Sequence, residues 1–183
     1  MQLTEKEKDL LKKNAAITII RNTPGFYNIH GYLLDISDDW ILVQNISEFH
    51  LDGYSIIRKS DVDKMRYDNR DRYFEKILRI EGVRENVSKK YEINITDLPS
   101  IFKSLKITKL NIIVECEEPK NELFVIGKIT QINKNSVSML HFDACGRWEK
   151  QSTVIYYPEI TIIRFDEEYI NVFSRYLKLV SKD

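Results

Sequence analysis

Apolar and polar positions alternate along much of this chain, and the alternation is written twice. Residues 31 to 49 read GYLLDISDDWILVQNISEF, and residues 127 to 145 read GKITQINKNSVSMLHFDAC. Aligned on Gly31 and Gly127, Leu33 falls on Ile129, Ile36 on Ile132, Ile41 on Val137 and Val43 on Met139. Further along, DVDKMRYD (61 to 68) answers EITIIRFD (159 to 166), with Arg66 on Arg164 and Tyr67 on Phe165. RYFEKIL (72 to 78) then answers NVFSRYL (171 to 177). A period of two in short runs bounded by turn residues predicts half-buried strands. Those runs place strands at about 16 to 22, 27 to 36, 39 to 46, 53 to 60 and 62 to 67, and again at about 109 to 117, 122 to 133, 136 to 143, 151 to 157 and 159 to 165.

Each set of strands follows a helix pattern. LTEKEKDLLKKN opens with Thr4 and has Glu7 three residues on, the spacing of a capping box. In the second half Thr96 or Asp97 caps LPSIFKSLK, and Pro99 stands in the first turn, where a missing N–H is least costly. Gly31 and Gly127 fall inside strands, where glycine permits a sharp bend. The expected fold is therefore mostly β with short helices. It consists of two tandem five-stranded β-barrel units, 1 to 80 and 96 to 183, each preceded by a helix and joined by a linker at 81 to 95. In that linker Tyr91, Ile93 and Ile95 alternate and suggest an added edge strand. The exposed edge strands of the two units are expected to pair with each other, and docking is expected to bury them together with the apolar helical stripes Phe74, Ile77, Leu78 and Val172, Phe173, Tyr176, Leu177, giving one cooperative body.

Composition narrows the functional classes. Lys plus Arg equals Asp plus Glu at 28 each, so no global field draws in nucleic acid or an anionic membrane. No apolar run approaches the roughly 20 residues of a membrane helix, the N-terminal stretch reads as a charged helix and not a signal peptide, and cytoplasm is the expected compartment. Cys116 and Cys145 lie outside any CxxC spacing and read as reduced thiols.

The half-chain pattern resembles the Sm and Sm-like family of small SH3-like β-barrels. Gly31, Leu33 and Ile36 match the apolar frame of that family's first motif, with Ser37 where the family has Asp, Trp40 where it has Met and Ile41 where it has Asn. Ile57-Arg58-Lys59 stands at the second motif, with Lys59 in place of a glycine. The second half keeps Gly127, Ile129, Ile132 and Asn133, with Val137 at the Asn position and Ile155-Tyr156-Tyr157 at the second motif. The resemblance implies a base-binding pocket for single-stranded RNA, to which Trp40, Arg58, Lys59 and Arg66 would contribute. Charge argues against it. From Asn22 to Ile57 there is no Lys or Arg, whereas Asp35, Asp38, Asp39, Glu48 and Asp52 are present, and carboxylates beside a pocket repel phosphate.

Between Arg58 and Lys90 there are eleven basic and seven acidic residues, interleaved with Tyr67, Tyr73 and Tyr91. Asp61, Asp63, Asp68, Asp71 and Glu75 are spaced to pair with these cations, so the run reads as a solvated face rather than a nucleic-acid surface. His141, Asp143 and Cys145 would share one strand face and are the weak candidates for a metal site or a metal-dependent enzyme, but no fourth ligand is evident. His30 and His50 stand alone, and no hydrolase, phosphate-loop or dinucleotide motif is present. The expectation is a non-enzymatic binding or scaffold protein with no cofactor, acting on a protein partner or on itself. Its candidate contact residues are Asp38, Asp39, Phe49, Asp52, Tyr54 and Trp148.

Overall fold

The first helix forms where its caps require it. The Thr4 hydroxyl accepts from Glu7 N and the Glu7 carboxylate accepts from Thr4 N at 2.7 Å, closing a reciprocal box that starts α1 (Glu5–Lys13). Asn14 in the left-handed region ends it. Asp97 caps α3 (Leu98–Thr108), with Pro99 in its first turn, and Asp68 caps α2 (Asn69–Ile80). The structure is a computed structural model that describes residues 3 to 22 and 28 to 180, the side chains of 178 to 180 excepted.

The strands are β1 (Ala16–Arg21), β2 (Ile29–Ile36), β3 (Trp40–Ser47), β4 (His50–Arg58) and β5 (Val62–Arg66), then β6 (Ile112–Cys116), β7 (Leu123–Ile132), β8 (Ser136–His141), β9 (Thr153–Tyr156) and β10 (Ile162–Phe165). The expected start of β2 at residue 27 lies outside the described residues. The order helix, four strands, 3-10 turn, strand, helix occurs twice, the second time ending in α4 (Glu168–Val180). The strands form one open antiparallel sheet in the order β5-β1-β2-β3-β4-β10-β6-β7-β8-β9. A register shift falls between Leu33 and Asp35 in β2, and another between Ile129 and Gln131 in β7. Two residues ahead of each shift, a side chain on Gly31 would stand 2.7 Å from the Gln44 carbonyl, and one on Gly127 would run into the Leu140 carbonyl. The neighbouring backbone approaches too closely there for a Cβ.

The junction of the halves is strand pairing. Ile57, Ile56, Ser55 and Tyr54 on β4 stand opposite Ile162, Ile163, Arg164 and Phe165 on β10. Strands β3 and β4 are covered on both faces, which explains the unbroken run Trp40-Ile41-Leu42-Val43. One face, with Ile41, Val43 and Ile57, joins a core with Leu10, Ile17 and Leu33, and Ile162 reaches into it from β10. The other, with Trp40, Leu42 and Ile56, joins Ile101, Phe102 and Leu105 of α3. Both cores therefore draw on both halves of the chain.

Two expectations need correction. No strand forms over Tyr91, Ile93 and Ile95; that irregular segment instead buries Ile93 and Ile95 against the α3 core, with Tyr91 packed edge-on to Tyr54. Nor do the helical stripes join the halves. Leu78 packs with Ala16, Tyr32 and Ile46, and Leu177 packs with Ile113, Ile126 and Phe142, so each helix covers the sheet of its own half. The other half of that expectation holds: edge strands make the junction, because they satisfy backbone groups as well as burying side chains. Among the described residues no helix is long and apolar enough to cross a membrane.

Candidate functional site

Trp40 and Arg58 stand opposite one another on β3 and β4 and line one cleft of about 360 Å³, together with Ser60, Asp97 and Tyr157. The tertiary structure has already engaged the groups that would read a base. Trp40 is 5% exposed and belongs to the core. Arg58 Nε donates to both Asp61 oxygens at 2.8 and 2.9 Å, and its Nη1 donates to the Pro158 carbonyl at 2.8 Å. Lys59 pairs with Glu7 at 2.9 Å, which ties α1 to the turn after β4. Arg66 is elsewhere, forked onto Asp71 and donating to the Thr18 hydroxyl. Several other cations of the run are paired as well: Arg70 with Asp68, Arg79 with Glu75, Lys89 with Asp35 and Lys90 with Asp166.

The five acidic residues do not form one patch. Asp38 and Asp39 are exposed at the β2–β3 turn, whereas Glu48 and Asp52 lie at the other end of β3, near the β3–β4 turn. Asp52 accepts from Glu168 N at 2.7 Å, where its charge suits the N-terminus of α4. Tyr54 is 4% exposed, stacks on Phe165 at 5.0 Å and donates to the Ser88 carbonyl, so its contacts lie within the chain. Phe49 is half exposed and touches Phe74. Trp148 meets Phe142 edge-on and lies under the Lys128 ammonium. The sequence suggested exposed edge strands and Tyr156 as an anchor, but not which strands would be outermost. β5 and β9 end the sheet, and on β9 Val154 and Tyr156 are both exposed apolar side chains.

His141, Asp143 and Cys145 do not converge as ligands. His141 Nε2 shares a hydrogen bond with the Thr153 hydroxyl, while Asp143 organises its own loop by accepting from Cys145 N, Arg147 N and Arg147 Nε. Those donors, the Arg147 N–H first, hold its carboxyl below the usual range. Among the described residues no group of three or more His, Cys, Asp or Glu side chains could hold a metal ion. Cys116 is buried, and that burial pushes its thiol up to about 11, which makes it a poor nucleophile.

A carboxylic acid with a strongly raised pKa lies beside the β4–β10 junction. Burial pushes Glu167 up to about 7 from 4.5; Arg164 opposes this, Asp52 and Glu115 add to it, and Asn45 donates to the carboxylate at 3.0 Å. Below pH 4.5 the group is neutral in both the folded and the unfolded chain. Between 4.5 and about 7 the folded chain holds a proton that the unfolded chain has lost, so stability falls as pH rises through that window. Glu167→Gln is therefore expected to match the wild type near pH 4 and to exceed it near pH 8 by on the order of 2 kcal/mol, as read by urea unfolding at the two pH values. An equal difference at both would exclude this titration.

The chain matches no protein-family model, no curated protein and no solved structure.

Proposed function

We propose that this chain is a non-enzymatic scaffold that acts through protein–protein contacts along its sheet edges, and that it is built from two Sm-like five-stranded units in tandem. The twofold occurrence of one element order and the matching positions of the register shifts support the tandem reading. The observation that carries the function is the β4–β10 junction, where the last strand of the first unit's sheet order pairs with the first strand of the second's. β5 occupies the place of β10 in its unit and β9 the place of β4, and both are sheet ends. A second copy adding its β9 to β5 would repeat the junction, bringing Met65 opposite Val154 and Arg66 opposite Thr153, by analogy with Ile163 opposite Ile56 and Arg164 opposite Ser55. Unpaired strand edges are templates for such addition. Lys6 Nζ donates to the Met65 carbonyl at 3.1 Å and would have to turn aside.

The contact is heterologous, so it makes rings or open chains according to whether the rotation closes. Sedimentation velocity over a range of concentrations is expected to show self-association. The double change Val154→Asp with Tyr156→Asp, at two exposed positions, should abolish it without altering the circular dichroism. A wild-type chain that stays monomeric at high micromolar concentration would remove this reading. RNA binding through Trp40 and Arg58 is the weaker alternative, because the Arg58 guanidinium is already held by Asp61 and Pro158.

A further inference from the structure

A second cleft, of about 570 Å³, opens between the tip of the β3–β4 hairpin and the first turns of α2, and it lies within the size range of small-molecule sites. Its apolar wall is made of Ile46, Phe49 and Phe74, the two rings 5.5 Å apart and inclined at 47°. Its polar wall is made of His30 on β2, Arg66 on β5 and Asp71 on α2, all of which meet at the buried Thr18 hydroxyl.

The proton on that hydroxyl decides the chemistry. Asp71 as a carboxylate can only accept, so Thr18 donates to it at 2.7 Å. Arg66 can only donate, and it does so to the Thr18 oxygen at 2.9 Å. Thr18 then has no proton left for His30, and the 3.1 Å contact with His30 Nδ1 requires that nitrogen to be the donor. Partial desolvation, aided by the Arg66 charge and opposed by Asp71, lowers the pKa of this exposed ring and so favours its neutral form. His30 therefore turns Nε2 into an acceptor, and Nε2 is the ring nitrogen left for a ligand. The charges lining the cleft balance, with Arg66 against Asp71 and Arg70 against Glu48. An ion of either sign gains little there.

Two features that cost stability meet at this cleft. Glu48 holds φ at 53°, a left-handed conformation suited to glycine or asparagine in a two-residue hairpin turn. Phe49 beside it leaves 52% of its surface in water. Strain of this kind persists where the surrounding structure enforces it, and it clusters at ligand sites.

We propose that the cleft binds a small uncharged aromatic ring carrying one hydrogen-bond donor, of the indole or phenol class, laid against Phe49 and Phe74 with its donor on His30 Nε2. The test is a titration of the isotope-labelled full chain with indole, followed by backbone amide shifts, with N-methylindole as the matched ring that lacks the donor. Indole should shift amides around 46 to 49 and 70 to 74. N-methylindole should bind about threefold to tenfold more weakly, the worth of one hydrogen bond. Phe49→Ala, at an exposed position, should weaken both ligands, and His30→Leu should erase the preference between them. Shifts that are absent through the millimolar range, that gather on another face, or that are equally strong for both ligands would overturn the proposal.

Discussion

Replacing Gly53 with alanine is expected to cost the whole chain about 3 kcal/mol or more, seen as a lower urea midpoint in a single transition. Gly53 lies in β4 with φ at +63°, and a Cβ built there stands 2.5 Å from Glu167 N, 2.6 Å from the Phe165 carbonyl oxygen and 2.7 Å from Asp166 C. All three are backbone atoms at the end of β10 or just beyond it, so no side chain can swing away to make room. Relief would have to come from parting β4 and β10, which would open the two cores that share those strands. The control is Gly82→Ala. Its φ is +72°, but nothing lies within 4 Å of the added methyl, so it should cost only about 1 kcal/mol, the price of the left-handed conformation alone. Equal losses at the two positions, or two separate transitions in the wild type, would show that the junction does not couple the halves.

The second large effect is expected at an ion pair with no local sequence signal. Arg21 ends β1, and Glu117 follows β6; the two meet fork to fork, with the Arg21 side chain 1% exposed and that of Glu117 12% exposed. The Thr161 hydroxyl also donates to Glu117. Glu117→Ala leaves a buried guanidinium without its carboxylate and should cost about 3 to 5 kcal/mol, whereas Arg21→Met with Glu117→Leu should recover most of that loss. For comparison, the exposed pair Lys13–Asp9, with side chains 55% and 56% exposed, should yield at most about 0.5 kcal/mol in Asp9→Ala. A Glu117→Ala loss no larger than that of Asp9→Ala would mean that the pair is hydrated or dispensable.

What the chain's pattern determined by itself is what short-range physics writes. Thr4 with Glu7, Asp97 with Pro99 and the alternating strands are set by groups a few residues apart or by a period of two, and they stand in the structure close to where they were placed; Gly31 and Gly127 do lie inside strands, but what requires glycine there is the approach of the neighbouring backbone and not the bend that the pattern suggested. The cations from Arg58 to Lys90 are also largely paired, as nearby carboxylates allow.

Only the tertiary structure decided what lies next to what over long separations. Nothing in HLDGYSIIR announces that its open edge takes IIRF a hundred residues later, because every strand carries the same backbone donors and acceptors and the choice depends on where both cores bring their edges. That choice then reassigned side chains whose type suggested contact with a partner. Tyr54 went into the shared core, Asp52 to the start of α4, and Arg58 to a carbonyl of the other half. The cleft beside Phe49 was equally hidden from the sequence, since β2, β3, β5 and α2 line it together and the state of His30 there is dictated by one hydroxyl proton on β1.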